Sequence, residues 1–245
     1  MNDSQFDNLK VWKSLACIIT LLGGFQFILL SFIAMLFYPD GYSFTADYFS
    51  YLGTTINMKT GSPNLVSRIL FLIACVVVGA SLIPFWIVIS TLFSESRLNK
   101  YISISGSIMG IISSVCLMGV GIFAEDTHYI VHISLAQMFF SFILIAVIIY
   151  SFAILLNPTY HNIYSLIGIG SSISIIILLY IFRNSMLMNV LLQKIIVYGY
   201  CAWVVLQISQ IWKVIGIPLN YKKLLGRPIK RFFYRSKKFL LQFIY

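Results

Sequence analysis

The sequence predicts an all-α integral membrane protein, a six-transmembrane-helix bundle with a C-terminal basic amphipathic helix. Two observations carry this prediction. Of the 245 residues, 60% are apolar and only 10% are charged, and the mean hydropathy is +0.93. A soluble fold needs far more charged surface, whereas a bilayer does not. In addition, six apolar runs are each long enough to cross about 30 Å of hydrocarbon. Both observations exclude a soluble enzyme.

Short polar breaks separate the six predicted spans, which cover residues 15–37, 65–93, 102–123, 131–156, 163–182 and 190–212. Three regions follow from this division: an N-terminal segment 1–14, a transmembrane domain 15–212 and a basic tail 213–245. The first run lacks a small-residue cleavage pattern, so we expect an anchor rather than a cleaved signal peptide.

The distribution of Lys and Arg predicts the orientation. With six spans, both termini share a side with the second and fourth loops, and that side carries thirteen basic residues against three on the other. Basic residues concentrate on the cytoplasmic side of membrane proteins, so we expect a multi-pass protein of the cell membrane with both termini cytoplasmic. The net charge of +10 is therefore a feature of the membrane surface, and no nucleic-acid partner is expected.

Small residues mark two spans. Gly106 and Gly110 form a GxxxG motif in the third span, and Gly168 and Gly170 begin a similar stripe in the fifth. Such stripes allow close helix packing; the alternative is that they leave room for a lipid or a water-filled crevice. No three-plus-three repeat is evident and no charges lie across the span centres, which argues against a transporter.

The first loop, residues 38–64, is rich in aromatic and polar residues. Pro39-Asp40-Gly41 is a turn signal, and Thr45 or Asp47 is placed to cap a short helix that ends near Gly53. Two interpretations stay open. The aromatic segment anchors at the membrane interface, or Asp47 and Ser50 face inward as part of a polar pocket.

The third loop brings carboxylates close to histidines. Glu125 and Asp126 precede the fourth span, where they are expected to cap its N-terminus. His128 and His132 are four residues apart and share a helix face. With Asp126 they form a candidate metal site, and zinc is the one cofactor considered. The alternative for His132 is a hydrogen bond to a loop carboxylate, Asp47 or Asp126, that holds the loops over the bundle.

These loops resemble the DUF998 family of six-span membrane proteins, which is related in plan to the FRAG1/DRAM/Sfk1 group. The resembling segments are 47–53 (DYFSYLG), Asn64 with Arg68, 119–126 (GVGIFAED) and His132. The family commonly has Pro where Ala124 stands. The resemblance covers about residues 11–212 and implies a six-helix fold but no particular reaction. Members of the related group are associated with lipid and sterol handling.

The basic tail has the pattern of a helix lying flat on a membrane. With Pro228 as the first helical position, apolar residues recur at helical spacing. Basic residues flank this stripe: Lys230, Arg231, Arg235, Lys237 and Lys238. The pattern predicts binding to anionic lipid of the inner leaflet, and a partner helix is the alternative.

Three functions are compatible with the sequence. The first is a non-enzymatic bundle whose outer face binds a lipid head group, through Asp47, Ser50, Asn64, Arg68, Glu125, Asp126 and His132. The second is a metal-dependent lipid hydrolase with His128, His132 and Asp126 or Asp47 as ligands and Glu125 as general base. The third is an accessory subunit, in a larger complex or a homo-oligomer, whose GxxxG face contacts a protein partner.

Overall fold

The fold is a bundle of α-helices joined by loops, with no strand longer than an isolated bridge among the residues described. The computed structural model describes residues 3–94, 96–157, 160–177 and 186–215. Its helices are α1 (Asp3–Leu36), α2 (Leu65–Ser90), α3 (Arg97–Ile122), α4 (Tyr129–Leu155), α5 (Ile163–Ile176) and α6 (Met186–Ile215). A short 3-10 helix, Phe49–Gly53, lies between α1 and α2.

Five of these helices contain stretches that are long and apolar enough to cross a membrane: Leu9–Leu36, Leu65–Ser90, Arg97–Ile122, Tyr129–Leu155 and Val190–Ile215. The described part of α5 has 14 residues, about 21 Å at 1.5 Å per residue, which is shorter than the hydrocarbon core. The rest of the predicted fifth span lies outside the described residues, and so does the tail from residue 216 onward. The structure therefore shows five candidate spans, and the sixth span and the tail helix stay predictions.

Each helix packs mainly on its neighbours in the chain, from α1 on α2 through to α4 on α5, and α6 contacts both α5 and α1. The outward faces carry large exposed apolar side chains such as Leu22 and Phe25 on α1 and Leu65 on α2. In water these faces would be costly, but against lipid tails they are not. The exposed surface therefore agrees with a membrane protein.

Glycines permit the close helix crossings. A Cβ on Gly110 would lie 2.2 Å from the ring of Trp86, and one on Gly106 would lie 2.9 Å from Tyr150. The prediction of tight packing at the GxxxG motif is confirmed, because both glycines meet side chains of this same chain. Both glycines therefore lie inside the bundle, and a contact of this protein with a partner stays a prediction.

A cluster of aromatic rings fills the half of the bundle away from the first loop. Trp86 packs against Tyr150 and Trp203, and Phe93 stacks on Tyr160. The Ser107 hydroxyl hydrogen-bonds to the Tyr150 hydroxyl at 2.6 Å, which satisfies polar groups inside an apolar core. This half is densely packed and positions the helices around a cavity in the other half.

Candidate functional site

The first loop, residues 37–64, folds back on itself. The predicted turn at Pro39-Asp40-Gly41 is confirmed, because the Gly41 N–H donates to the Tyr38 carbonyl at 3.2 Å and Gly41 has a positive φ of 91°. Asn57, further along the loop, is tied to this turn because its Nδ2 donates to the Pro39 carbonyl at 2.7 Å. The loop is thus a built element rather than a free connection.

The start of α2 supports the 3-10 helix. Asn64 donates from Nδ2 to the carbonyl of Thr54 at 3.0 Å, and the Ser67 hydroxyl donates to the carbonyl of Leu52 at 3.0 Å. The side chain of Asn64 is 1% exposed. Asn64, a predicted site residue, therefore satisfies backbone carbonyls of the loop, and it is not among the residues that line the cavity described below.

Asp47 is buried but has an internal partner for each carboxylate oxygen. Its Oδ2 accepts the Ser43 N–H at 2.7 Å, and its Oδ1 pairs with the Lys59 ammonium at 2.6 Å. The predicted contacts of Asp47 with His132 and with the N-terminus of the short helix do not form. The reason is that Asp47 closes a turn of its own, while Tyr48 stands at the cap position of the helix and makes no side-chain capping bond there.

Lys194 anchors α6 to the first loop, and sequence reasoning missed this role. Its ammonium donates to the Asp47 carbonyl at 2.5 Å and lies over the rings of Tyr42 and Phe44, 5.4 and 5.1 Å from their centroids. The side chain is 1% exposed. A lone lysine inside an apolar run is the signal that could have found it, because a buried cation needs carbonyl, carboxylate or ring partners.

Asp126 joins the first loop to the third loop, residues 123–128. Both of its carboxylate oxygens accept the Thr55 N–H at 3.0 Å, and the Thr55 hydroxyl also donates to Oδ2. The expected capping of α4 by Asp126 is wrong, since His128 occupies the cap position and no side chain makes a capping bond there. The carboxylate is instead committed to the neighbouring loop.

Ser50, Glu125 and His132 form a polar trio beneath the two loops. The Ser50 hydroxyl donates to Glu125 Oε2 at 2.7 Å, and His132 Nε2 lies 3.8 Å from the same oxygen. His132 Nδ1 lies 2.7 Å from the Phe123 carbonyl and must donate, because a carbonyl only accepts. The carboxylate facing His132 is therefore Glu125, not Asp47 or Asp126 as the sequence suggested.

The charge of Glu125 affects its surroundings. Burial raises the pKa of the nearby Tyr51 hydroxyl to about 12, and repulsion from the Glu125 carboxylate adds to the rise. Tyr51 thus stays neutral and remains a hydrogen-bond donor at physiological pH.

Under this trio lies a cavity of about 960 Å³. Apolar side chains of α1, α2, α3, α4 and α6 form its wall, among them Phe27, Val78 and Phe140. Ser50, Glu125, His132 and Gln193 line it too, and we call these four the polar roof. From Gln193 to Val205 on α6 the cavity extends over about 18 Å at 1.5 Å per residue. Its size is at the upper end of ordinary ligand sites.

The cavity reaches the outer surface of the bundle. Leu22 and Phe25 on α1, Tyr129 on α4 and Val205 on α6 all line it, and each is more than half exposed. In a membrane these residues face lipid tails, because they lie on apolar helix surfaces. The cavity therefore opens on the outer, mainly apolar surface of the bundle.

Gln193 is a second residue that sequence reasoning missed. Its Oε1 accepts the Phe49 N–H at 3.0 Å, which ties α6 to the 3-10 helix beside the trio. A polar residue next to the predicted boundary of span six was the only available signal. Arg68, a predicted phosphate partner, is half-buried and does not line the cavity.

The structure does not bring the three predicted metal ligands together. His128 is exposed and bonds to the Thr127 hydroxyl at 2.9 Å, whereas His132 points to Glu125 and Asp126 is held by Thr55. Among the residues described, no three His, Cys, Asp or Glu side chains are grouped to hold a metal ion.

Comparison with known families identifies the chain. Residues 11–217 match the family described as the Frag1/DRAM/Sfk1/Cwh43P N-terminal domain. The chain belongs to this family. The match covers every described helix almost completely. It supports the related FRAG1/DRAM/Sfk1 group named in the sequence analysis, and it does not show DUF998. No curated protein and no solved structure matches the chain. Membership in the Frag1 family together with five apolar helices makes this a multi-pass membrane protein.

Proposed function

We propose that this Frag1-family protein is a non-enzymatic lipid-binding bundle. The hydrocarbon part of one membrane lipid occupies the cavity, and its head group meets the polar roof of Ser50, Glu125, His132 and Gln193. The observation that carries the proposal is the combination of a large apolar cavity, a polar roof at one end and an opening on the lipid-facing side. Apolar pockets with a few convergent polar groups are the usual form of a ligand site.

The geometry favours binding over catalysis. The metal-dependent hydrolase needs His128, His132 and Asp126 around one metal ion, yet His128 bonds to the Thr127 hydroxyl and Asp126 is held by Thr55. The Ser50 hydroxyl donates a hydrogen bond to Glu125, and His132 directs Nδ1 to a backbone carbonyl. Both contacts hold the roof in place. They support a site that presents polar groups in a fixed arrangement to a head group.

Filling the cavity tests the proposal. Ala136 on α4 lines the cavity, and Ala136→Trp places a large ring inside it. Ala80→Trp on the exposed face of α2 is the matched control. In mild detergent, native mass spectrometry should show bound lipid on the unmodified protein and the control, and loss of that lipid from Ala136→Trp. Equal lipid occupancy in all three proteins contradicts the proposal.

The same sample tests the other two functions. Stoichiometric zinc that disappears in the His128→Ala, His132→Ala double variant would favour the metal-dependent hydrolase. A mass equal to two chains, or to this chain with another protein, would favour the accessory subunit or homo-oligomer.

For orientation, we propose that the first and third loops face the outside of the cell and the termini the cytoplasm, supported by the thirteen-to-three distribution of basic residues. Thr127 and Ser94 are exposed at opposite ends of the bundle. An impermeant thiol reagent on intact cells should label Thr127→Cys and should label Ser94→Cys only after lysis. The reverse pattern overturns the orientation.

The tail is proposed to bind anionic lipid of the inner leaflet, on the strength of its basic and apolar pattern alone. Neutralising Lys230, Arg231, Lys237 and Lys238 in a tail peptide should abolish its binding to vesicles containing acidic lipid. Unchanged binding would remove the electrostatic part of this proposal.

A further inference from the structure

The polar roof carries a negative charge and has no fixed positive charge opposite it. Glu125 lines the cavity, and none of the described residues that line it is a lysine or an arginine. A phosphate head group is recognised in proteins mainly by Arg and Lys donors. The roof lacks that chemistry.

The nearby cations do not supply it. Lys59 pairs with the carboxylate of Asp47, and Lys194 donates to the Asp47 carbonyl beneath two aromatic rings. Neither lysine lines the cavity, and Arg68 does not line it either. An anionic group placed beside Glu125 would therefore meet repulsion that no lysine or arginine among the described lining residues compensates.

The geometry of His132 and Glu125 matches a hydroxyl group. Because Nδ1 donates to Phe123, His132 offers Nε2 to the cavity, 3.8 Å from Glu125 Oε2 and beyond the range of a direct hydrogen bond. A hydroxyl donates to the carboxylate in either state of the imidazole, and it also accepts from Nε2 when that nitrogen is protonated. A phosphate that carries no proton can only accept.

Gln193 completes the match. Its Oε1 already accepts the Phe49 N–H, so what Gln193 offers a ligand is its amide NH₂. An N–H donor suits the ester carbonyl that lies next to the hydroxyl in an acylglycerol. The roof thus offers an acceptor for a hydroxyl and a donor for a carbonyl.

We infer that the site selects an uncharged lipid with a hydroxyl head group, of the diacylglycerol type, over lipids that carry a phosphate. This inference rests on the proposed lipid-binding function and specifies the class of lipid. The hydroxyl donates to Glu125, and the acyl chains follow the cavity along α6.

A competition between matched lipids tests the inference. Diacylglycerol and phosphatidic acid with identical acyl chains are added to the delipidated full chain in detergent, and native mass spectrometry measures the bound ratio. We expect a preference of about tenfold for diacylglycerol, the size of effect that an uncompensated charge produces. Phosphatidylethanolamine with the same chains should bind less than diacylglycerol, because its ammonium donor comes with a phosphate.

The outcomes separate the two proposals. Phosphatidic acid or phosphatidylethanolamine binding as well as diacylglycerol overturns this inference and leaves the lipid-binding function standing. Binding of none of the three lipids, when Ala136→Trp also changes nothing, overturns both.

Two variants locate the preference at the roof. Glu125→Gln removes the charge and keeps a partner for Ser50, so the preference for diacylglycerol should fall by about threefold or more. Gln193→Lys adds a cation and should shift binding toward phosphatidic acid. Asp40→Asn removes an exposed carboxylate of the same loop that does not line the cavity, and it should leave the ratio unchanged. Unchanged ratios in Glu125→Gln and Gln193→Lys would overturn the assignment to the roof.

Discussion

Glu125 and Asp126 are adjacent carboxylates, yet they belong to two regions with different chemistry. Asp126 lies in the contact between the first and third loops, where both oxygens are held by Thr55. Glu125 lies in the roof, where it accepts the Ser50 hydroxyl and lines the cavity. The difference teaches that a carboxylate with both oxygens bonded to another loop fixes the loops, while its neighbour lines the cavity and has acceptor capacity toward a ligand.

The largest expected effect comes from Asp126. Asp126→Ala removes charge-assisted bonds to the Thr55 backbone and hydroxyl, so we expect a loss of about 3 kcal/mol of stability. Thermal unfolding in detergent measures it as a lower Tm. The matched variant Glu125→Ala loses one bond and should cost about 1 kcal/mol. Equal losses at the two positions would remove the distinction between loop contact and roof.

Lys194 tests the second contact that holds the first loop. Lys194→Met keeps the length of the side chain but removes the ammonium that donates to the Asp47 carbonyl. We expect a loss of about 2 kcal/mol, because a bond to a charged group is lost and the cost of burying the charge is relieved in part. Lys213→Met, on the exposed face of the same helix, should change Tm little. A neutral result at Lys194 would show that the rings alone hold the loop.

The sequence predicted the helices better than it predicted the contacts between loops. Of the six spans predicted from hydropathy, five correspond to long apolar helices. Crossing a bilayer requires a continuous run of apolar residues, and such a run is visible in the local sequence. The sequence also placed Ser50, Glu125 and His132 together at one end of the bundle, the end formed by the first and third loops. The sequence paired His132 with Asp47 or Asp126, whereas the structure pairs it with Glu125. Which carboxylate meets the histidine depends on how the 3-10 helix orients its side chains, and this orientation is not visible in the local sequence.

Lys194 and Gln193 were missed for a related reason. Both lie at the beginning of span six, where polar residues ordinarily mark a boundary. The lysine inside an apolar run was therefore interpreted as the end of a span rather than as a buried anchor. Asp126 was expected to cap α4, since capping is the commonest local use of a carboxylate before a helix. The tertiary contact with Thr55 prevailed, and only a folded first loop reveals it.

A smaller effect is expected at Ser50. Ser50→Ala removes the hydroxyl that donates to Glu125 and should cost about 1 kcal/mol of stability while leaving the carboxylate in the cavity. The preference for a hydroxyl lipid should persist, because the acceptor remains. Ser62→Ala is the control, at a half-buried serine that donates to the exposed Asp40, and it should change Tm less. Loss of the lipid preference in Ser50→Ala alone would mean that the serine, not Glu125, reads the head group.

The smallest expected effect concerns Asp40, at the exposed tip of the first loop. Hydrogen bonds from the Thr60 and Ser62 hydroxyls hold the pKa of the Asp40 carboxyl below its ordinary value. Because the folded pKa lies below that of the unfolded chain, this carboxylate stabilises the turn above the unfolded pKa, and the contribution is lost as pH falls through the folded value. Carbon NMR of labelled aspartate should show the pKa of Asp40 rising toward 3.8 in a Thr60→Ala, Ser62→Ala variant. Lipid binding should not change as Asp40 titrates, because Asp40 does not line the cavity. A loss of bound lipid in parallel with this titration would show that the tip of the loop and the polar roof are coupled.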